Sequence, residues 1–300
     1  MYILDFIKVI LEKRNIPTLI YLLVNIGIIA LLSINTFNAG WMQAFASALI
    51  LYVISLVIAL SPFGEWILRL QTGCKKIRRE DYKRFINPIF EEVYSKAKSM
   101  DNTIPNNVKL FMLDDAGANA FATGRRTICI TKGMLNAPVE EIKAVLGHEF
   151  GHLSHKDTDL ILVVCIGNFF ITAIFILIRL FARFISLIFQ LAGIFVGEAI
   201  VNLGAFFSGL IVDFILIALM RLWTKVGMLL VMKSSRSNEY AADEFSANLG
   251  YGKELCMFLD RFDSVGFDGL FATLVSSHPA NDDRIARLQS KGVDYHLQRL

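Results

Sequence analysis

Apolar positions along the chain fall into long uninterrupted runs separated by stretches of mixed polarity. "IPTLIYLLVNIGIIALLSINTF" (residues 16–37) and "WMQAFASALILYVISLVIALSPF" (41–63) carry no charge and no polar face. Each reaches the ~20 residues a helix needs to cross a hydrocarbon core, so both are predicted as membrane spans joined by a tight "NAG" turn. A cleaved signal peptide fits the first run poorly, since its apolar core is too long and lacks a small-residue cleavage site. A second apolar block covers residues 160–232. "LILVVCIGNFFITAIFILI" (160–178) is predicted to span, and residues 203–232 to supply the returning span. The rest of the block is broken by Arg179, Arg183, Glu198, Asp213 and Arg221, and residues 184–200 read as an interfacial or re-entrant helix.

The mixed stretches, 64–158 and 233–300, show shorter periods. "VKLFML" and "TICIT" have β-formers with partial alternation and Gly-containing turns between them, which predicts short strands. "NAPVEEIKAVLGHEFGHLSH" predicts a helix. Pro138 sits in its first turn, Glu140 and Glu141 suit the positive helix end, and Ile142, Val145 and Leu146 make an apolar stripe. Gly147 and Gly151 weaken that helix by about 1 kcal/mol each relative to Ala. They fit either a strand or substrate approaching closely, or tight packing against a neighbouring helix. "SNEYAADEFSANLG" predicts a helix from about Ser237 that ends at Gly250, and the tail a short helix beginning near Asp282.

Four segments follow: a membrane hairpin at 1–63, a first polar segment at 64–158, a second hairpin at 159–233, and a last polar segment at 234–300. Composition agrees with a membrane chain, being 55% hydrophobic and only 19% charged with 24 Phe, and a mean hydropathy of +0.53. A net charge of +3 gives no reason to expect nucleic acid. The four scattered cysteines form no C-x-x-C pair and read as free thiols in a reducing compartment. Lys8, Lys13 and Arg14 precede the first run, and Arg69, Lys75, Lys76, Arg78 and Arg79 follow the second. The positive-inside rule then places the N-terminus and the first polar segment in the cytoplasm. The basic run suits anionic headgroups of the bilayer and equally reads as a solvated juxtamembrane helix.

"LGHEFGHLSH" (146–155) holds three of the five histidines. Helical positions four apart differ by ~40° around the axis, so His148 and His152 share a face and can give two ligands to a tetrahedral Zn2+. Glu149, turned by ~100°, reaches the open fourth position, where it can take a proton from water. The bland alternative is a pair of surface histidines. His155 returns to nearly the same face, yet three ligands from one helix cannot close a tetrahedron. Glu239 in "NEYAAD" is the better third ligand, with Asp243 one turn later to accept an N–H from a ligating histidine. Without the H-E-x-x-H, both acids would read as a solvated helix face.

"HEFGHLSHKD", "NEYAAD", "NAFATG" and "SHPANDDRI" occur in the order seen in HtpX-type membrane zinc metalloproteases, which the whole chain resembles. That family is related to the CAAX prenyl proteases within the gluzincins. The resemblance implies a four-helix membrane protein with a cytoplasmic α+β gluzincin-like protease domain and one Zn2+ per chain. It implies a bacterial plasma (inner) membrane endopeptidase acting on unfolded or misfolded membrane proteins in quality control. It also implies that Asn119, Ala120, Phe121, Ala122 and Thr123 form an edge strand that binds substrate by backbone hydrogen bonds. By the same resemblance His278 and Arg284 stabilise the substrate carbonyl and oxyanion, and Asp157 matches the Asp of the family's HExxHxxxxD. From the residues alone, His278 reads equally as a turn residue and Arg284 as a surface charge. Two departures stand out: His155 occupies a position where a small or polar residue is more usual, and the 179–208 connection is long. Two other classes fit parts of the pattern. A prenyl-protein processing peptidase would need more spans to hold a lipid tail, and a non-catalytic zinc scaffold would not need Glu149.

Overall fold

The computed structural model describes residues 7–37, 40–193, 199–261 and 279–296. Two apolar helices open the chain, α1 (Ile16–Phe37) and α2 (Trp41–Ala59). The amphipathic helix α3 (Pro62–Thr72) follows at once, with Ser61 capping its N-terminus and Gly73, at φ 74°, ending it. α4 (Glu80–Met100) leads into a small sheet of β1 (Lys109–Leu113), β2 (Ala120–Ala122) and β3 (Thr127–Thr131). The order is β1-β3-β2, with β1 parallel and β2 antiparallel to the fully buried β3.

After a short 3-10 turn comes α5 (Val139–His155), which begins directly after Pro138. A single left-handed residue, Lys156 at φ 59°, separates it from α6 (Asp157–Leu162). A π-turn at Val163–Gly167 continues α6 into α7 (Asn168–Gly193). The helix carrying the histidines therefore runs almost directly into the membrane segment. α8 (Ala199–Ser246) returns, and α9 (Gly252–Arg261) and α10 (Asn281–Ser290) complete the described chain.

Among the described residues, Trp41–Ala59 and Asp157–Ile185 are long and apolar enough to cross a membrane, and Ile16–Leu31 forms a shorter apolar helix. The second hairpin departs from the sequence expectation. Residues 184–193 continue α7 rather than forming a separate interfacial helix. α8 runs unbroken through 233–237, where a gap between span and "NEYAAD" helix is expected. At 1.5 Å per residue its 48 residues extend about 70 Å. Lys, Ser and Arg do not interrupt helices, and the sequence has no Gly or Pro between Gly227 and Gly250.

Polar side chains join the two hairpins. Asn25 Nδ2 donates to Asn168 Oδ1 at 2.5 Å, and Trp223 Nε1 donates to Asn25 Oδ1 at 3.0 Å. These contacts give α1, α7 and α8 a fixed register in surroundings that offer no water. Farther along the second hairpin, Asp213 accepts from Arg179 at 2.5 Å and lies 2.6 Å from Arg183, which explains how these charges sit between apolar helices. One hydrophobic core lies among the apolar helices and includes Leu22, Ala48 and Val164, and another lies between α4, α5 and the sheet and includes Ile86, Phe90, Ile128, Ile130, Leu146 and Phe150. All four cysteines are buried and free.

Candidate metal centre and active site

α5 and α8 cross so that His148, His152 and Glu239 converge. His148 Nε2 and His152 Nε2 lie 3.2 Å apart, and each is 3.3 Å from a Glu239 carboxylate oxygen. The other nitrogen of each ring faces a carboxylate. His148 Nδ1 is 2.8 Å from Asp243 Oδ1, and His152 Nδ1 is 3.1 Å from Asp157 Oδ2. With a carboxylate on Nδ1, each ring keeps its proton there and turns the Nε2 lone pair toward Glu239. Asp243 is gripped in turn by Arg284, whose Nη2 and Nε donate to its two oxygens at 2.6 and 2.8 Å. Burial alone would raise the Asp243 carboxyl, but the Arg284 fork and His148 hold it down at about 2.

Glu149 is buried beside this group, and its Oε2 accepts the Ala122 N–H at 2.6 Å. Burial pushes its carboxyl above the usual range, against the pull of His148 and His152. The contact fixes which edge of β2 faces the site. Asn119 and Thr123 pair with β3, through Thr131 N–H to Asn119 O and Thr123 N–H to Thr127 O, both 2.9 Å. The backbone groups of Ala120 and Ala122 therefore face the free edge of the strand, and Phe121 pairs with Cys129. Ala120 N–H is held by its neighbour's Asn119 Oδ1 at 2.7 Å.

A model of peptidase family M48 matches residues 83–291, well over half of the chain. The chain belongs to family M48. It is 28% identical to a protease HtpX homolog of Sulfurovum sp. (strain NBC37-1) over 214 residues, covering 60% of this chain and 68% of that one. It is 26% identical to protease HtpX of Shewanella halifaxensis over 293 residues, covering 90% and 95%. The crystal structure of S. mikatae Ste24p matches with a TM-score of 0.42 and 20% identity, covering 96% of this chain. The chain spans 65% of the Ste24p structure's length.

As an M48 peptidase the chain is a metalloprotease, and its own residues fit an ion. The three convergent donor atoms lie within 4.8 Å of one another. A tetrahedron with bonds of about 2.0–2.1 Å has edges of about 3.3 Å, close to the 3.2 Å between the two ring nitrogens and the 3.3 Å from each to its nearer Glu239 oxygen, Oε2 for His148 and Oε1 for His152. Glu149, Asp157, Glu239 and Asp243 also outweigh the single guanidinium of Arg284, so the site suits a cation. His155 stands outside the convergent group, its ring against Phe245 at 6.4 Å. Arg284 is buried on Asp243, with Nη2 3.8 Å from Glu239 Oε2. His278 lies outside the described residues.

The two glycines of the M48 helix owe their place to helix packing. A Cβ at Gly147 would stand 2.9 Å from Ser246 Oγ, and one at Gly151 2.8 Å from Ala242 Cα. Ser246 Oγ also donates to Ala144 O at 2.7 Å, which ties α8 to α5. Gly147 and Gly151 are four apart, as are Ala242 and Ser246, so two small-residue stripes face each other. That pairing was the available signal for the crossing that brings Glu239 to the histidines. Gly151→Val should cost about 1–3 kcal/mol by overpacking and lower the bound metal. Thermal unfolding and metal analysis check it; an unchanged Tm would mean that α5 and α8 do not touch there.

Proposed function

We propose that this chain is an integral membrane zinc endopeptidase that hydrolyses peptide bonds of membrane or membrane-proximal proteins, with unfolded and misfolded proteins as substrates. The observation that carries this reading is Glu149, seated between the convergent His148, His152 and Glu239 and the outward edge of β2. A substrate in extended conformation adds to that edge through the backbone groups of Ala120 and Ala122. It displaces the Asn119 side chain from one N–H and Glu149 from the other. Released from Ala122, Glu149 takes the proton of the attacking water and passes it to the leaving amine. Asp243 and Asp157 hold the two rings in register, and Arg284 acts through Asp243 as a positioning residue. Bound zinc would polarise the scissile carbonyl and acidify the water. His148, His152 and Glu239 would hold it, while His278 is the candidate for the substrate carbonyl.

Four spans place both polar segments on one side, and the basic flanks of α1 and α2 favour the cytoplasm. The bacterial plasma membrane and a role in membrane protein quality control follow from the family resemblance. Purified protein in detergent should degrade an unfolded protein when supplied with zinc and stop with a chelator. Labelling of single cysteines in intact cells should find positions 102 and 291 both shielded. Proteolysis indifferent to the chelator would overturn the enzymatic reading, and labelling of both positions from outside would move the substrates out of the cytoplasm.

A further inference from the structure

Away from the metal group, a cluster of buried and half-buried charged side chains lies where the apolar helices meet the sheet. Glu65, in the first turn of α3, is buried and accepts the Arg125 N–H at 3.3 Å and the Thr127 hydroxyl at 3.4 Å. Arg69 Nη1 donates to Thr127 Oγ1 at 3.0 Å and lies 3.7 Å from Glu65. Arg125 Nη1 donates to Leu60 O, the residue that ends α2, at 2.6 Å. Its Nε is 3.8 Å from Asp159 Oδ1, in the first turn of α6. Gly124, at φ +88°, lets the backbone come so close that a Cβ there would stand 2.9 Å from Glu65 Cγ. The turn between β2 and β3 is thus clamped to the ends of three helices, α2, α3 and α6. Ala122, whose N–H meets Glu149, is only three residues before Arg125.

Another face of α3 is apolar and exposed. Phe63, Trp66 and Leu70 are 50%, 47% and 61% exposed, and their spacing puts them on one stripe. Phe63 and Trp66 stack at 5.5 Å. This stripe follows the exposed Val53, Ile54 and Val57 of α2 without a break in the chain and leads to exposed Lys75, Lys76, Arg78 and Arg79. An apolar stripe with aromatic anchors, continuous with a membrane helix and followed by cations, matches an anionic lipid surface.

We propose that α3 lies in the membrane interface with Phe63, Trp66 and Leu70 in lipid, and that its Glu65–Arg125 clamp fixes the height of β2 above the bilayer. The enzyme then selects peptide bonds at a set distance from a membrane anchor, in addition to any preference for local sequence. This deepens, and rests on, the reading of β2 as the substrate edge of a membrane peptidase. An extended substrate advances about 3.3 Å per residue, so a fixed strand distinguishes sites a few residues apart.

The test uses the full chain in vesicles of phosphatidylethanolamine and phosphatidylglycerol. Substrates carry one transmembrane helix followed by an unfolded polar linker in which a cleavable cassette is moved in two-residue steps. Mass spectrometry reads the bonds cut. Wild type should cut within a narrow band of distances from the anchor, whichever part of the cassette falls there. Arg125→Ala and Trp66→Ser should broaden or shift the band while keeping metal content and cleavage of a soluble unfolded protein. Trp66 is on the exposed face, so that variant bears on the proposal even where Arg125→Ala fails to fold. Cuts that follow the cassette at every distance, or a band unchanged in Trp66→Ser and in folded Arg125→Ala, would overturn the proposal and leave the peptidase reading standing. Failure of wild type to cut the soluble protein as well would overturn both.

Discussion

Glu149→Gln is expected to keep its metal and lose peptide hydrolysis. Glu149 is outside the group of converging ligand atoms, and its Oε2 is engaged by the Ala122 N–H at 2.6 Å. Glutamine has the same length, and its carbonyl oxygen can accept that N–H, so the helix and the edge strand keep their places. An amide cannot take a proton from water at neutral pH. General base catalysis contributes typically 10²–10⁴-fold, so turnover should fall by at least about 10³-fold once the following proton delivery is lost too. Metal per chain and hydrolysis of an unfolded protein are the two measurements. Self-cleavage during purification should also stop. Loss of the metal from this variant would put Glu149 among the ligands and undo the division of roles between it and Glu239.

Much of this site could be read from spacing. His148 and His152 share a helix face by geometry alone, and Glu149 then has to point elsewhere. The contact between Glu149 and Ala122 could not be read, because it depends on how β2 is registered against β3 and how the sheet lies on α5. β2 has three residues, too few for a period to show. Asp157 and Asp243 each accept from a ring Nδ1, which spacing suggested only for Asp243. Arg284 reads as a surface charge or, by resemblance, as an oxyanion group. Its fork onto buried Asp243 shows only when α10 is placed against α8.

The fold was legible where composition is extreme and less so where two signals compete. α1, α2 and the first part of α7 follow from long runs without charge. The "NEYAAD" helix and the expected returning span read as two elements because polarity changes between them, yet helix formation does not require constant polarity. One unbroken α8 has a consequence for the site. Glu239 is carried by the same helix that is tied to α7 through Arg179, Arg183 and Asp213, and to α1 through Trp223 and Asn25. The contacts of α8 with α7 and α1 therefore help to hold the third ligand in place, together with the core of the polar domain. The clamp at Arg125 was invisible for another reason: Glu65, Arg125 and Asp159 are distant in sequence and each, taken alone, is an ordinary charge.

Glu239→Ala should abolish metal binding, whereas His155→Ala should leave it intact. Three donors around one ion must approach from different directions, and α5 alone supplies two from nearly one line. Glu239 brings the third direction from α8, with one carboxylate oxygen 3.3 Å from the His148 ring nitrogen and the other 3.3 Å from that of His152. Its loss leaves two imidazoles and a gap that water would have to fill. It also removes the anionic ligand that offsets part of the ion's charge in a buried site. His155 offers no such contribution, since its ring packs edge-on against Phe245. Its truncation costs packing and leaves the donor set whole. Metal analysis after dialysis separates the two variants, and unfolding with and without chelator gives an independent reading. An ion that binds only the folded chain raises Tm, so wild type and His155→Ala should lose that increment on chelation. Glu239→Ala should unfold at the same temperature with or without chelator. Metal retained by Glu239→Ala and lost from His155→Ala would make His155 the third ligand and require α5 to bend at its end toward the ion.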